Sequence, residues 1–243
     1  ILTVLLAILV LWHLAVIYLN MPFARDQATR AGQTPGFLEL LPQTFAQERP
    51  VLPAPHQIIA ELWDTTVNKA VTSKRSLVYH ASVTAGSALA GFVLGSAVGA
   101  LLAVGIVHVR TLESSLMPWV IGSQTVPILA IAPMVVVILG NLGLTGVLPK
   151  AAISAYLSFF PVTIAALRGL RAYDPRALEL MRSYAASRMA ILRKLRMPAA
   201  RPYLFTGFRI AAPAAVVGSI VGELPSLIQG GLARQIITGM QYY

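Results

Sequence analysis

The sequence predicts an all-α integral membrane protein. Of its 243 residues, 56% are hydrophobic and only 12% are charged, and the mean hydropathy is +0.71. The apolar residues gather in long runs without Lys, Arg, Asp or Glu, and a run of about 20 such residues crosses a bilayer as a helix. Ten of the 19 basic residues lie between Arg168 and Arg209, which is typical of a cytoplasmic loop.

This charge distribution excludes several classes of protein. A formal net charge of +10 would indicate nucleic acid in a soluble chain, but basic loops beside the anionic lipid bilayer account for it here, so we expect no nucleic-acid partner. The absence of cysteine excludes disulfides, thiolate catalysis and Cys-based metal sites. The four histidines are too scattered to predict a metal site; they are His13, His56, His80 and His108.

Five apolar runs predict the membrane spans. Four are uncharged, at about residues 1–19, 81–107, 114–139 and 151–167, and the fifth covers residues 203–223. The first run lacks the basic start and cleavage site of a signal peptide, and the chain does not begin with Met, so we expect the natural protein to start earlier. Pro118, Pro127 and Pro133 interrupt the third span, and the glycine-rich GNLGLTG (140–146) ends it as a loop.

Three glycines in the second span predict close helix packing. Gly91, Gly95 and Gly99 recur at steps of four and therefore share one helix face. Small residues at this spacing let two helix backbones approach closely in lipid. We interpret them as packing residues rather than as ligand contacts.

The positions of the basic residues predict the topology. Loop 168–202 is cytoplasmic by the positive-inside rule, which places loop 140–150 and segment 20–77 outside. Six Lys and Arg in segment 20–77 conflict with this assignment, but long loops translocate largely regardless of charge. Within that segment, residues 52–71 are expected to pass from a Pro-rich extended piece to an interfacial helix.

The cytoplasmic loop contains the signature of a helical hairpin. Asp174 followed by Pro175 predicts a helix N-terminus, and the helix should run to about Tyr184. Ser187 can cap a second helix, which should stop before Pro198. Such a hairpin can dock a soluble partner or lie on anionic lipid. The mixed charges of the first helix favour docking.

The same region resembles the signature loop of bacterial ABC importer permeases. The resemblance rests on Glu179, Ala185 and Ser187, followed by RKLRMPAARPYLFTGFRIA. It extends to LPAP after the first span, GFVLGSAVGALLAV (91–104), SQTVPILAIAPMVVVILG (123–140) and GELPS (222–226). These stretches are similar to the branch that imports taurine, other sulfonates, nitrate, bicarbonate and thiamine-pyrimidine precursors.

Two departures from the family pattern lie in this hairpin. Leu180 and Met181 replace two alanines, and Ala185 stands where the family usually has Gly. If that position needs a positive φ, an alanine there costs about 1 kcal/mol.

The resemblance implies a type I ABC importer permease bundle, with about six spans in the full protein, in the bacterial inner membrane. It implies a second permease copy, expected as a homodimer, together with two ABC ATPase subunits and a soluble substrate-binding protein. No Walker-type motif is present, so we expect no enzyme and no cofactor in this chain, with ATP and Mg bound by the ATPase subunits. The ATPase-docking residues implied are Pro175, Arg176, Ala177, Leu178, Glu179, Met181, Arg182, Tyr184, Ala185 and Ser187.

The transport path is predicted from polar and aromatic residues in the spans. The candidates are Ser123, Gln124, Thr125, Pro127, Tyr156, Phe159 and Glu223. Pro127 leaves a backbone carbonyl without its usual donor, and an acid near a span is a functional candidate, although Glu223 could equally make a structural hydrogen bond. Tyr156 and Phe159 could stack on a planar substrate or simply pack.

The absence of basic residues inside the second, third and fourth predicted spans favours a neutral planar substrate, such as a pyrimidine or a flavin-like vitamin. An anion would need a compensating cation or several helix N-termini. Taurine, sulfonate, nitrate or bicarbonate stays the alternative, and a channel or an integral-membrane enzyme is a weaker one. Five spans also leave the C-terminus outside, so we expect another apolar stretch of about 20 residues after Tyr243.

Overall fold

The computed structural model describes residues 1–32, 36–47, 49–225 and 230–242, with side chains up to residue 239. Within these ranges the regular structure is entirely helical, as the sequence predicts. The chain divides into two compact units. The first comprises Ile1–Tyr79 and the chain from Ile236 on, and the second is His80–Gln235.

The first unit is built on a long apolar helix, α1 (Leu2–Arg30). Two shorter helices follow it, α2 (Phe37–Phe45) and α3 (Pro55–Trp63), and α3 continues into a π-helical turn. The buried Asn20 of α1 fastens the connection, because its side-chain amide bonds the backbone of Leu52 in both directions, at 2.9 and 3.0 Å. Helix α1 continues past the predicted end of the first span at residue 19, because Pro22 is accommodated within the helix. The first part of the predicted outer segment 20–77 is therefore helical.

The second unit is organised around three long helices. They are α4 (Leu77–His108), which belongs to this unit from His80 on, α7 (Val147–Arg171) and α10 (Met197–Glu223). Each is longer than the predicted span, and α7 starts early enough to include Lys150. Helices α7 and α10 pack extensively against each other.

The glycines of α4 lie directly against α7. A Cβ atom added to Gly91 would approach the Ser154 Cβ to 2.2 Å, and one added to Gly99 would approach the Phe159 carbonyl oxygen to 2.6 Å. A Cβ atom added to Gly95 would lie 2.6 Å from the Ala155 backbone oxygen of α7. Backbone-to-backbone approach of this kind leaves no space for any side chain larger than hydrogen.

The predicted third span is two helices rather than one. Helix α5 (Arg110–Gly122) runs into a short 3₁₀ turn, and α6 (Ile128–Asn141) leaves at an angle of 103°. The bend falls at Pro127, which forces the preceding Val126 into an extended conformation with ψ of 122°. Four helices of the described chain are long and apolar enough to cross a membrane, and the number becomes five if the bent pair forms one span.

The hairpin consists of α8 (Pro175–Ser183) and α9 (Arg188–Ile191). The prediction that its second helix stops before Pro198 is wrong. A π-helical turn at Leu192–Arg196 links α9 to α10, so the helical path runs unbroken from Arg188 to Glu223. The backbone hydrogen bonds shift just before Pro198, because the Met197 N–H bonds the Leu192 carbonyl in the π-helical turn. Pro198, which has no N–H to donate, follows directly in α10. The last helix is α11 (Leu232–Tyr242).

Candidate functional site

The hairpin presents a capped helix whose outward side is charged and apolar together. The Asp174 carboxylate accepts a hydrogen bond from the Arg176 backbone N–H at 2.9 Å, and the Ser187 hydroxyl accepts one from the Ala190 N–H at 3.2 Å. Both side chains therefore satisfy backbone donors that a helix start leaves without partners. The two caps fix where α8 and α9 begin.

The predicted docking residues differ in exposure along α8. Ala177, Leu178 and Met181 are half-buried, whereas the other seven are exposed. Tyr184 is 79% exposed, and Leu180, which is not among the predicted docking residues, is 59% exposed. Since residues four apart are neighbours on a helix, Leu180 and Tyr184 form an exposed apolar pair. The sequence signal for this pair was Leu180, a large apolar residue at a position where the family pattern has alanine.

The turn after α8 has the geometry of a glycine C-cap occupied by alanine. Ala185 has a φ of 53°. Its N–H bonds the Arg182 carbonyl at 2.9 Å, and the Ala186 N–H bonds the Met181 carbonyl at 3.0 Å. These two bonds define a Schellman motif, in which Gly is the preferred residue at the left-handed position.

The predicted path residues fall into two places. Ser123, Gln124 and Thr125 form the 3₁₀ turn at the bend between α5 and α6, and the Tyr156 hydroxyl of α7 donates a hydrogen bond to the Ser123 carbonyl. The ring of Phe159 lies 6.0 Å from that of Tyr156. This group therefore combines exposed polar atoms with two aromatic rings.

Glu223 belongs to a different group, a cluster of polar side chains that are at most 2% exposed. Its members come from α4, α7 and α10, and they are His80, Thr84, Ser87, Lys150, Ser219 and Glu223. The Glu223 Oε1 atom accepts a hydrogen bond from the Thr84 hydroxyl at 2.6 Å. Both Glu223 oxygens are occupied, because Oε2 accepts from the Ala233 N–H at 3.0 Å. Next to them, the Ser87 and Ser219 hydroxyls are 2.5 Å apart.

This cluster binds four consecutive backbone positions at the start of α11. The bonds run from Lys150 Nζ to Gly230 O (2.8 Å), from Gly231 N to His80 Nδ1 (2.9 Å), from Leu232 N to Thr84 Oγ1 (3.0 Å) and from Ala233 N to Glu223 Oε2 (3.0 Å). We call His80, Thr84, Lys150 and Glu223 the latch. Ser226 of the GELPS motif lies outside the described residues.

Lys150 changes the charge argument made from the sequence. The second, third and fourth predicted spans contain no Lys or Arg, but α7 begins at Val147 and Lys150 is 1% exposed. Lys150 was not counted in that prediction, because it lies one residue before the predicted fourth span. Its ammonium group is held by the Gly230 carbonyl, and among the described residues no group of three His, Asp or Glu side chains could hold a metal ion.

Comparison with known proteins identifies the family. Residues 91–243 match the family described as the inner membrane component of binding-protein-dependent transport systems. The chain belongs to this family. The permease is 32% identical over 173 residues to a probable ABC transporter permease of Haemophilus influenzae, covering 71% of this chain and 66% of the relative.

Two further relatives of the permease have more specific names. A formylaminopyrimidine transport permease of Halalkalibacterium halodurans and a riboflavin transport system permease of Chloroflexus aurantiacus are each 30% identical over 173 residues, or 71% of this chain. The matches cover 65% and 61% of those proteins, so the permease spans somewhat less than two thirds of their length. These findings confirm the predicted family and the multi-pass membrane location.

Proposed function

We propose that this chain is the membrane-spanning subunit of an ATP-driven importer for a small, neutral, planar organic solute. The observation that carries the proposal is the capped hairpin, which presents the exposed pair Leu180 and Tyr184 and leads without a break into α10. A soluble partner that grips α8 can thereby move a helix that crosses the membrane. ATP and Mg would be bound by two partner ATPase subunits.

The mixed character of α8 supports a protein partner over a lipid surface. Glu179 is exposed beside Arg176 and Arg182, and an acidic group on this face would be repelled by anionic lipid. Exposed apolar side chains surrounded by charges of both signs are typical of protein interfaces. A second copy of this chain and a soluble substrate-binding protein complete the proposed assembly.

The docking proposal is tested by changing two predicted docking residues of α8, the exposed Glu179 and the half-buried Met181. We expect Glu179→Lys combined with Met181→Asp to leave the permease folded, because the hairpin lies outside the apolar helices, and to abolish ATPase-driven uptake. The measurements are copurification of the ATPase subunit and uptake into proteoliposomes. Glu61→Lys, an exposed charge reversal on α3, is the matched control and should leave both unchanged. Normal uptake by the double variant would contradict the proposal.

The contacts of the buried charges support a neutral substrate. The Lys150 ammonium group and both Glu223 oxygens are engaged by protein groups, so neither charge is free to meet an ion on the path. What stays accessible at the bend of α5 and α6 is an amide, a hydroxyl and two aromatic rings, namely Gln124, Thr125, Tyr156 and Phe159. Aromatic rings favour stacking on planar molecules.

The relatives point to the same chemical class. Two of them are named for formylaminopyrimidine and riboflavin, both planar ring systems, while an aliphatic sulfonate permease of Bacillus subtilis is 28% identical over 192 residues. A sulfonate or another small anion is therefore the alternative substrate. Competition for uptake by the reconstituted transporter distinguishes the two. If taurine or nitrate competed for uptake or stimulated the ATPase, while pyrimidines and flavins had no effect, the proposal of a neutral substrate would be contradicted.

A further inference from the structure

The latch supplies hydrogen-bond partners to the first turn of α11. The first N–H groups of a helix have no partner within the helix, and three of those near the start of α11 bond to His80, Thr84 and Glu223. A carboxylate at this end is also favoured by the helix dipole. Glu223 is thus an N-terminal cap supplied by a different helix.

The fit around this cap requires glycine. Gly231 has a φ of 123°, and a Cβ atom added to it would lie 2.1 Å from the Glu223 carboxyl carbon. The backbone therefore lies directly on the carboxylate, with no space for a side chain or a solute between them. This packing distinguishes the latch from an open binding site.

The latch also stands at the far end of the helix that begins in the hairpin. The continuous helical path Arg188–Glu223 has 36 residues, which corresponds to about 54 Å at 1.5 Å per residue. Ser187 caps its first turn and Glu223 is its last residue. A displacement of the hairpin is therefore carried to Glu223 by one structural element.

We propose that the latch is a transmission joint, in which Thr84 and Glu223 are positioning residues that fasten segment 230–235 to α4, α7 and α10. When the hairpin moves α10, the latch makes the start of α11 move with it. The inference deepens the proposed function, because it assigns to this cluster the coupling of ATP hydrolysis to opening of the path. Neither residue contacts the solute.

The anchoring role can be measured without any transport assay, because the chain has no cysteine. Ala233 is 1% exposed, so a cysteine at this position should react slowly with a maleimide in the detergent-solubilised complex. Adding Thr84→Val removes the hydroxyl that donates to Glu223 and accepts from the Leu232 N–H. Because two buried hydrogen bonds are lost, we expect labelling to be roughly tenfold faster or more. Thr84→Ser keeps the hydroxyl and should restore slow labelling.

The matched control is Thr163→Val, since Thr163 is also fully buried but its hydroxyl bonds only the Phe159 carbonyl of its own helix. It should not accelerate labelling at position 233. Equal labelling rates for Thr84→Val and Thr163→Val would overturn the latch as an anchor.

The transmission role is measured as solute molecules imported per ATP hydrolysed in proteoliposomes. We expect Thr84→Val to lower this ratio severalfold, while the ATPase subunit copurifies normally and Thr84→Ser restores the ratio. Faster labelling with an unchanged ratio would overturn transmission and leave a static anchor. If the native chain shows no ATP-dependent uptake, the proposed function fails together with transmission, whereas the labelling result still decides whether the latch holds segment 230–235.

Discussion

Replacing Ala185 by glycine should stabilise the hairpin. Ala185 is the one non-glycine residue with a positive φ, 53°, in the described part of the chain. An L-residue in this conformation is disfavoured by about 1–2 kcal/mol, and part of that gain is offset because glycine loses more backbone entropy on folding. We therefore expect Ala185→Gly to stabilise the end of α8 by about 1 kcal/mol, or roughly fivefold in the local opening equilibrium.

Hydrogen exchange measures this effect at the motif itself. The amides of Ala185 and Ala186 close the turn with bonds of 2.9 and 3.0 Å, and both should exchange roughly fivefold more slowly in Ala185→Gly. Ala186→Gly is the matched control, because Ala186 is not among the positive-φ residues and glycine there should only add flexibility. Unchanged or faster exchange in Ala185→Gly would refute the reasoning.

Four further substitutions test other parts of the structure. Gly95→Ala should destabilise the bundle by about 1–3 kcal/mol through overpacking, whereas Gly86→Ala should not, because Gly86 has open space around it. Thermal unfolding in detergent compares the two variants. Equal melting temperatures would contradict the close packing of Gly95. Asp174→Ala and Ser187→Ala should each cost about 1 kcal/mol of local helix stability, visible as faster amide exchange in the first turns of α8 and α9. Tyr156→Phe removes the hydrogen bond to the turn at the bend and should lower the melting temperature by roughly 2–4 °C, a change that would be absent if that bond contributes nothing.

The parts of the fold that depend on local chemistry were predictable. Asp174 and Ser187 act as caps because a short polar side chain can reach the N–H two or three residues ahead, and no distant residue is needed for that. The apolar runs indicate helices for the same kind of reason, since a backbone in lipid must satisfy its own hydrogen bonds. The family resemblance rests on such local motifs, and the comparisons confirm it.

The continuations of the helices could not be predicted from the same signals. Pro198 reads as a helix stop, yet a π-helical turn precedes it and the helix goes on. Pro127 reads as an interruption within one span, yet it separates two helices at 103°. A proline restricts its own φ and the preceding residue, but whether the helix passes through it, shifts its hydrogen bonds or turns away depends on what packs against it.

The sequence by itself determined the membrane class, the hairpin with its caps, the permease family and the glycine face of α4. Each of these depends on neighbouring residues or on a helix period of about 3.6. Only the tertiary structure decided the partners of Glu223 and Lys150, because the groups that satisfy them lie on other elements: Glu223 bonds Thr84, 139 positions away, and Lys150 bonds Gly230, 80 positions away. Burying a charge is costly unless it is hydrogen-bonded, but this requirement states only that partners exist. Which groups they are is fixed when α4, α7, α10 and the start of α11 pack together.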